Sequence, residues 1–201
     1  MRKLWIVALC ALGMLSPAFA HTPEDAAILM PSAFEDWKTL TTPHFRINYQ
    51  QQHLEFARRM AAVAETVHER LVPQMEWQPK KRTQVVISDS YDGSNGGATV
   101  LPYNRFYIFM NAPTVGELQD NNDWIEQVFT HEYVHILHLE QAAGLPHALR
   151  NVFGRIFFNF PQAFNPLWIT EGIAVYGETD REKGFGRGQG ALYAAMMRAE
   201  Y

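Results

Sequence analysis

FTHEYVHILHLE, residues 129–140, gathers three histidines and two glutamates in an otherwise largely apolar stretch. On an α-helix, residues four apart lie one above the other, so His131 and His135 project from one face and can grip a single ion. Zinc suits such a pair, with imidazole nitrogens at roughly 2.0–2.1 Å. Glu132 is offset by about 100° around the axis, where it can hold a water at the ion without becoming a ligand. Zinc lowers the pKa of that water from about 15.7 to near 7, and a nearby carboxylate takes the proton as the oxygen attacks a carbonyl. With 8 histidines and 14 glutamates in 201 residues, His-Glu-x-x-His is expected by chance only about 0.02 times, and its context must decide the reading.

That context is a helix between two dissimilar halves. Upstream, His44 to Gln50 alternates Phe45, Ile47 and Tyr49 with polar residues, as a half-buried strand does. A helix is expected from His53 to Leu71, stopped by Pro73. Thr83 to Ser88 predicts a strand buried on both faces. Asp89 to Gly97 predicts a loop, and residues 98–111 an irregular strand, a turn and a second strand. Downstream, Asp123 and Glu126 have the spacing of a capping box, opening a helix that runs to about Gln141 and is ended by Gly144 and Pro146. A further helix is expected from His147 to Phe158, and Asn165-Pro166 caps and starts another. Asp180 to Gly190 predicts a flexible connection, and residues 191–201 a last helix that stops without a terminating signal. The chain is therefore expected to be the front part of a longer protein. The fold class is α+β, a strand-rich N-terminal layer followed by a helical lobe.

A catalytic zinc usually has three protein ligands and one open position. The metzincin continuation would place a glycine at position 138 and a histidine at position 141, whereas this chain has His138 and Gln141. The better third ligand is Glu171 in WITEGIAVYGE, residues 168–178, a carboxylate on an apolar helix where an unpaired charge is costly to bury. THEYVH, residues 130–135, followed by WITEGIA, residues 168–174, resembles the gluzincin peptidases of the peptidase MA-like superfamily. The likeness is greatest to the aminopeptidase N family, whose third ligand lies in a similar Trp-Leu-Asn-Glu-Gly-Phe-Ala motif. It covers Phe129 to Glu178. The resemblance implies a thermolysin-like catalytic domain in which His131, His135 and Glu171 hold zinc and Glu132 is the general base.

The chain departs from that family in three places. The interval between His135 and Glu171 is about twice the family's, so an extra helix is inserted. The family's Gly-Ala-Met-Glu-Asn edge strand, whose glutamate holds a substrate's free amine, is replaced by Gly97, Ala98, Thr99 and the residues after them. An edge strand can still pair with a peptide backbone, so cleavage within a chain is favoured over aminopeptidase action. The tyrosine that would donate to the developing oxyanion is open between Tyr176 and Tyr193. His138, on the ligand face, is either a group supporting the ligands, an alternative ligand or a partly exposed histidine. Glu178, seven residues after Glu171, either fixes a ligand imidazole's tautomer or is a solvated carboxylate.

Residues 1–20 have Arg2 and Lys3, an apolar run from Leu4 to Leu15 and a small-residue Ala18-Phe19-Ala20 ending, which marks a secretory signal peptide. The run is too short for a spanning helix, which needs roughly 20 residues. Residues 21–201 then form the catalytic domain, most simply in a bacterial periplasm. Cys10 is the only cysteine, so the exported domain has no disulfide. Cleavage leaves 15 basic against 21 acidic residues, and nothing suggests nucleic acid as a partner. Leu149, Val152, Phe153, Ile156 and Phe157 form one helical stripe in the inserted segment. The stripe is expected to pack on the core, with a membrane-surface or partner contact and a roof over the active site as alternatives. Besides a peptidase, the sequence admits a metal-stabilised binding module, since related exported peptidase domains are often followed by β-propeller blades. It also admits a hydrolase acting on something other than a peptide.

Overall fold

The computed structural model describes residues 36–89, 96–111 and 123–180, together with 184, 186–190, 195, 198 and 199. The expected signal peptide, the helix over 191–201 and Tyr193 lie outside the described residues or, for 195, 198 and 199, only at isolated positions.

The fold is α+β, a five-stranded sheet followed by helices. The strands are β1 (Trp37–Thr41), β2 (Phe45–Gln50), β3 (Thr83–Ser88), β4 (Gly96–Thr99) and β5 (Arg105–Phe109), in the spatial order β1-β2-β3-β5-β4. β2, β3 and β5 run parallel, with Phe45 opposite Thr83 and Val85 opposite Phe106; β1 and β4 are antiparallel edges. Parallel neighbours need a long crossover, supplied between β2 and β3 by α1 (Leu54–Met75). Ala57, Met60, Ala64, Val67 and Leu71 recur at helical spacing and are its buried face.

Four helices are described: α1, then α2 (Trp124–Glu140), α3 (Gly144–Phe153) and α4 (Leu167–Glu178). In α2, 14 of 17 residues are buried, which makes it a central helix rather than an amphipathic one. It packs on α1, on β4 and β5, and on α4. Its inward aromatics lock it to the sheet, with Phe129 edge-on to Phe45 at 5.4 Å and to Phe106 at 5.0 Å between ring centroids. Such pairs add about 0.5–1.5 kcal/mol beyond their burial. At its start, Asp123 Oδ1 accepts from the Glu126 backbone N–H at 3.3 Å, the expected cap.

Several sequence expectations need correction. β1 goes unanticipated, because most of its residues are exposed and carry little alternation. α1 runs through Pro73 to Met75. Proline there removes the bond to the Glu69 carbonyl and crowds it in the helix's last turn, where Glu69 is exposed to water. Gly96 and Gly97 belong to β4 rather than to a loop. Gly144, at φ +57°, and Pro146 open α3 instead of closing α2; a first-turn proline forfeits an N–H that has no partner in a helix anyway. Consequently α3 ends at Phe153, and Phe157 falls in a short 3₁₀ turn. Asn165 does not cap α4; its Nδ2 donates to Gln162 Oε1 at 2.8 Å and to His138 Nε2 at 3.3 Å.

The stripe on α3 is also corrected. No residue of α3 is buried, and Val152 and Phe153 are 74% and 65% exposed. The polar side turns inward instead, where Arg150 donates to the carbonyls of Glu140 and Asn159, both at 2.7 Å. Among the described residues, no helix is long and apolar enough to cross a membrane.

Candidate metal centre

α2 and α4 pack closely because Gly177 faces Val134; a β-carbon on Gly177 would lie 2.6 Å from Val134 Cγ2. That approach carries the Glu171 carboxylate over the two imidazoles of α2. His131 Nε2 lies 3.1 Å from His135 Nε2 and 3.2 Å from Glu171 Oε2, and His135 Nε2 lies 3.6 Å from Glu171 Oε1. A tetrahedral ion with ligands at roughly 2.0–2.1 Å sets them about 3.3–3.4 Å apart. The two nitrogens are near that spacing and each faces a different oxygen of the Glu171 carboxylate, and together the three residues could hold a metal ion. The Glu171 side chain is 36% exposed and His135's only 3%, so the site opens on the Glu171 side.

No family model, curated protein or solved structure matches this chain.

The remaining groups are arranged around that triad. Glu178 is fully buried and lies 3.0 Å from His131 Nδ1. A carboxylate only accepts, so Glu178 favours a hydrogen on Nδ1, whereas Arg187 Nη2, which only donates, lies 2.6 Å from the same nitrogen and opposes it. Glu178 also accepts from Arg187 Nε at 2.6 Å, Arg187 Nη2 at 2.9 Å, the Arg187 backbone N–H at 3.2 Å and Gln127 Nε2 at 3.3 Å. Burial raises the Glu178 carboxyl, but Arg187 and His131 more than reverse this, and it is held well below the carboxylate range. Sequence reasoning missed Arg187 and Gln127. The first lies in the glycine-rich segment read as a flexible connection, where no periodicity marks it. The second sits one turn before His131 on the same helix.

Glu132 is 2% exposed, with Oε2 lacking any hydrogen-bond partner among the described residues. Burial raises its pKa, against the pull of His135 and His131. An orphaned carboxylate oxygen beside three converging ligand atoms fits a site that takes an ion and a water. Behind it runs β4, with the Gly96 backbone against the Glu132 side chain; Gly97, Ala98 and Thr99 continue that edge, opposite Tyr107, Phe106 and Arg105.

His138 is buried and bonded to Asn165 rather than to the ligand triad, so the partly exposed reading is corrected. Tyr176 is 78% exposed on α4.

Proposed function

We propose that this chain is the catalytic domain of an exported zinc peptidase of gluzincin type, cutting within peptide chains. The observation that carries the reading is the convergence of His131, His135 and Glu171 as a group that could hold a metal ion, with Glu132 buried on the same helix and its Oε2 unpartnered among the described residues.

A zinc ion held there supplies Lewis acidity, polarising a carbonyl and making water acidic near neutral pH. Glu132 takes the water's proton at Oε2 and returns it to the leaving amine. A carboxyl raised by burial suits both steps, since an effective base has a pKa near the working pH. Glu178 holds the His131 ring from its Nδ1 side, which leaves Nε2 facing His135 and Glu171. β4 lies at the sheet edge, where an extended peptide pairs by main-chain hydrogen bonds. Gly96–Thr99 offers no carboxylate to capture a free amine, which favours cleavage away from chain ends.

Glu132→Gln tests this: the variant should retain zinc by metal analysis and lose hydrolysis of a mixed-peptide digest read by mass spectrometry. Undiminished hydrolysis would reject the role of Glu132.

A second reading, a metal-stabilised binding module of a larger periplasmic protein, draws support from the exposed Val152, Phe158, Trp168 and Tyr176. Under it, zinc removal lowers the unfolding temperature, no peptide is cut, and Glu132→Gln changes neither.

A further inference from the structure

A cleft of about 910 Å³ lies against the flank of α2 that carries Tyr133, turned away from the metal ligands. Its size falls in the range of sites for small molecules. Six lining side chains are Arg46, Lys80, Lys81, Arg82, Arg150 and Arg155, against one carboxylate, Glu140. The chain as a whole carries a net charge of −4, so this concentration of positive charge runs against the composition.

The cleft has a fixed wall and a loose rim. In the wall, Arg150 is held by two backbone carbonyls with its guanidinium 4.0 Å over the Phe160 ring. Arg155 donates to the Val100 carbonyl at 3.0 Å, to Glu140 at 2.8 Å and to Asn104. Glu140, which also accepts from Trp77 Nε1 at 3.2 Å, is one negative charge between two guanidiniums. The wall is left with a surplus positive charge that cannot be shed, because arginine stays protonated. At the rim, Arg46, Lys80, Lys81 and Arg82 are exposed, and none pairs with a carboxylate among the described residues. Lys80 Nζ reaches His147 Nε2 at 3.4 Å. Like charges converging on a low-dielectric concavity raise its potential and draw in a counter-ion.

We propose that this cleft binds a polyanion carrying two or more phosphate or sulfate groups, one against the arginine wall and another under the lysine rim. It is distinct from the exposed apolar stripe. His147, Arg150 and Asn151 line the cleft, while Leu145, Leu149 and Val152 stand roughly 180° round α3 from them. The anionic groups could belong to a soluble ligand or to a lipid headgroup, and the test separates the two.

The probes are inositol hexasulfate, whose sulfate esters are poor zinc ligands, and phosphatidylglycerol vesicles with phosphatidylcholine vesicles as control. The protein is full-length and zinc-loaded. Hexasulfate should bind with an affinity that falls as salt is raised. Lys80→Glu/Lys81→Glu should weaken it about tenfold or more, by replacing two charge-assisted contacts with repulsion. Both lysines are exposed, and circular dichroism and zinc content check that the variant is folded. Arg46→Gln, a milder change on β2, should weaken binding in the same direction. Sedimentation with phosphatidylglycerol vesicles that the double variant abolishes assigns a lipid headgroup; hexasulfate binding alone assigns a soluble polyanion. Binding to neither probe, or equal binding by wild type and double variant, overturns the proposal.

Discussion

A β-carbon on Gly96 would lie 2.7 Å from Glu132 Cγ and 2.9 Å from Glu132 Oε1. The β4 backbone is therefore the wall that sets where the carboxylate stands, and only a residue without a side chain leaves room for it. Gly96→Ala should push Glu132 aside while leaving His131, His135 and Glu171 alone. The expected outcome is zinc content unchanged by metal analysis, a stability loss of about 1–3 kcal/mol from overpacking, and peptide hydrolysis reduced at least tenfold, part of the roughly 100- to 10,000-fold that a general base contributes. Retained hydrolysis would mean that the position of this carboxylate does not govern the chemistry.

The Glu178–His131 contact makes a separate claim about affinity. Glu178→Gln keeps the shape but removes the charge that faces His131 Nδ1 and balances the partly buried Arg187. Zinc affinity should fall by about 10–100-fold, the usual cost of losing a partner of a ligand imidazole. Competition with a chelating dye measures it. An unchanged affinity would make Glu178 a purely structural partner of Arg187.

Without metal, burial would lower the pKa of His131, but hydrogen bonds to Glu171 and Glu178 raise it from 6.5 to about 9. Zinc must displace that proton, so its apparent affinity should rise about tenfold per pH unit as pH approaches 9, flattening above. The stability of the metal-free fold runs the other way. A folded pKa above the unfolded one contributes stability that is complete below pH 6.5 and is lost as pH rises through about 9. Thermal unfolding in chelator across that range, beside zinc titrations, checks both signs.

What could be read in advance divides along physical lines. His131 and His135 ride one helix, and the relation between helical neighbours is written in their spacing. The Asp123 cap is equally local. Glu171 reaches the imidazoles only because Gly177 lets α4 settle against Val134, a tertiary event that spacing does not encode; the motif around it pointed there instead. Arg187 is a long side chain at the start of a short 3₁₀ turn, Arg187–Gln189, that reaches Glu178, and no periodicity announces it. On α3 the pattern correctly marks an apolar and a polar side, yet which one turns inward depends on whether the body offers hydrophobes or acceptors. Here it offers the carbonyls of Glu140 and Asn159, and Arg150 turns in.

The inserted segment is tied down by charge, which sets up the last prediction. Arg155 reaches back to Glu140, Val100 and Asn104, and the Glu140 side chain it meets is only 7% exposed. Arg155→Met leaves that carboxylate with Trp77 Nε1 and strips two further acceptors, which should cost about 3–5 kcal/mol, the penalty of breaking a buried pair from one side. Glu140→Gln/Arg155→Met removes the stranded charge as well. If the ion pair is the source of the loss, the double variant should be more stable than Arg155→Met alone, with a coupling energy above about 1 kcal/mol. Urea unfolding curves of the four proteins in saturating zinc give that energy from their midpoints and slopes together. Additive losses would move the source to the bonds with Val100 and Asn104, with the carboxylate a bystander.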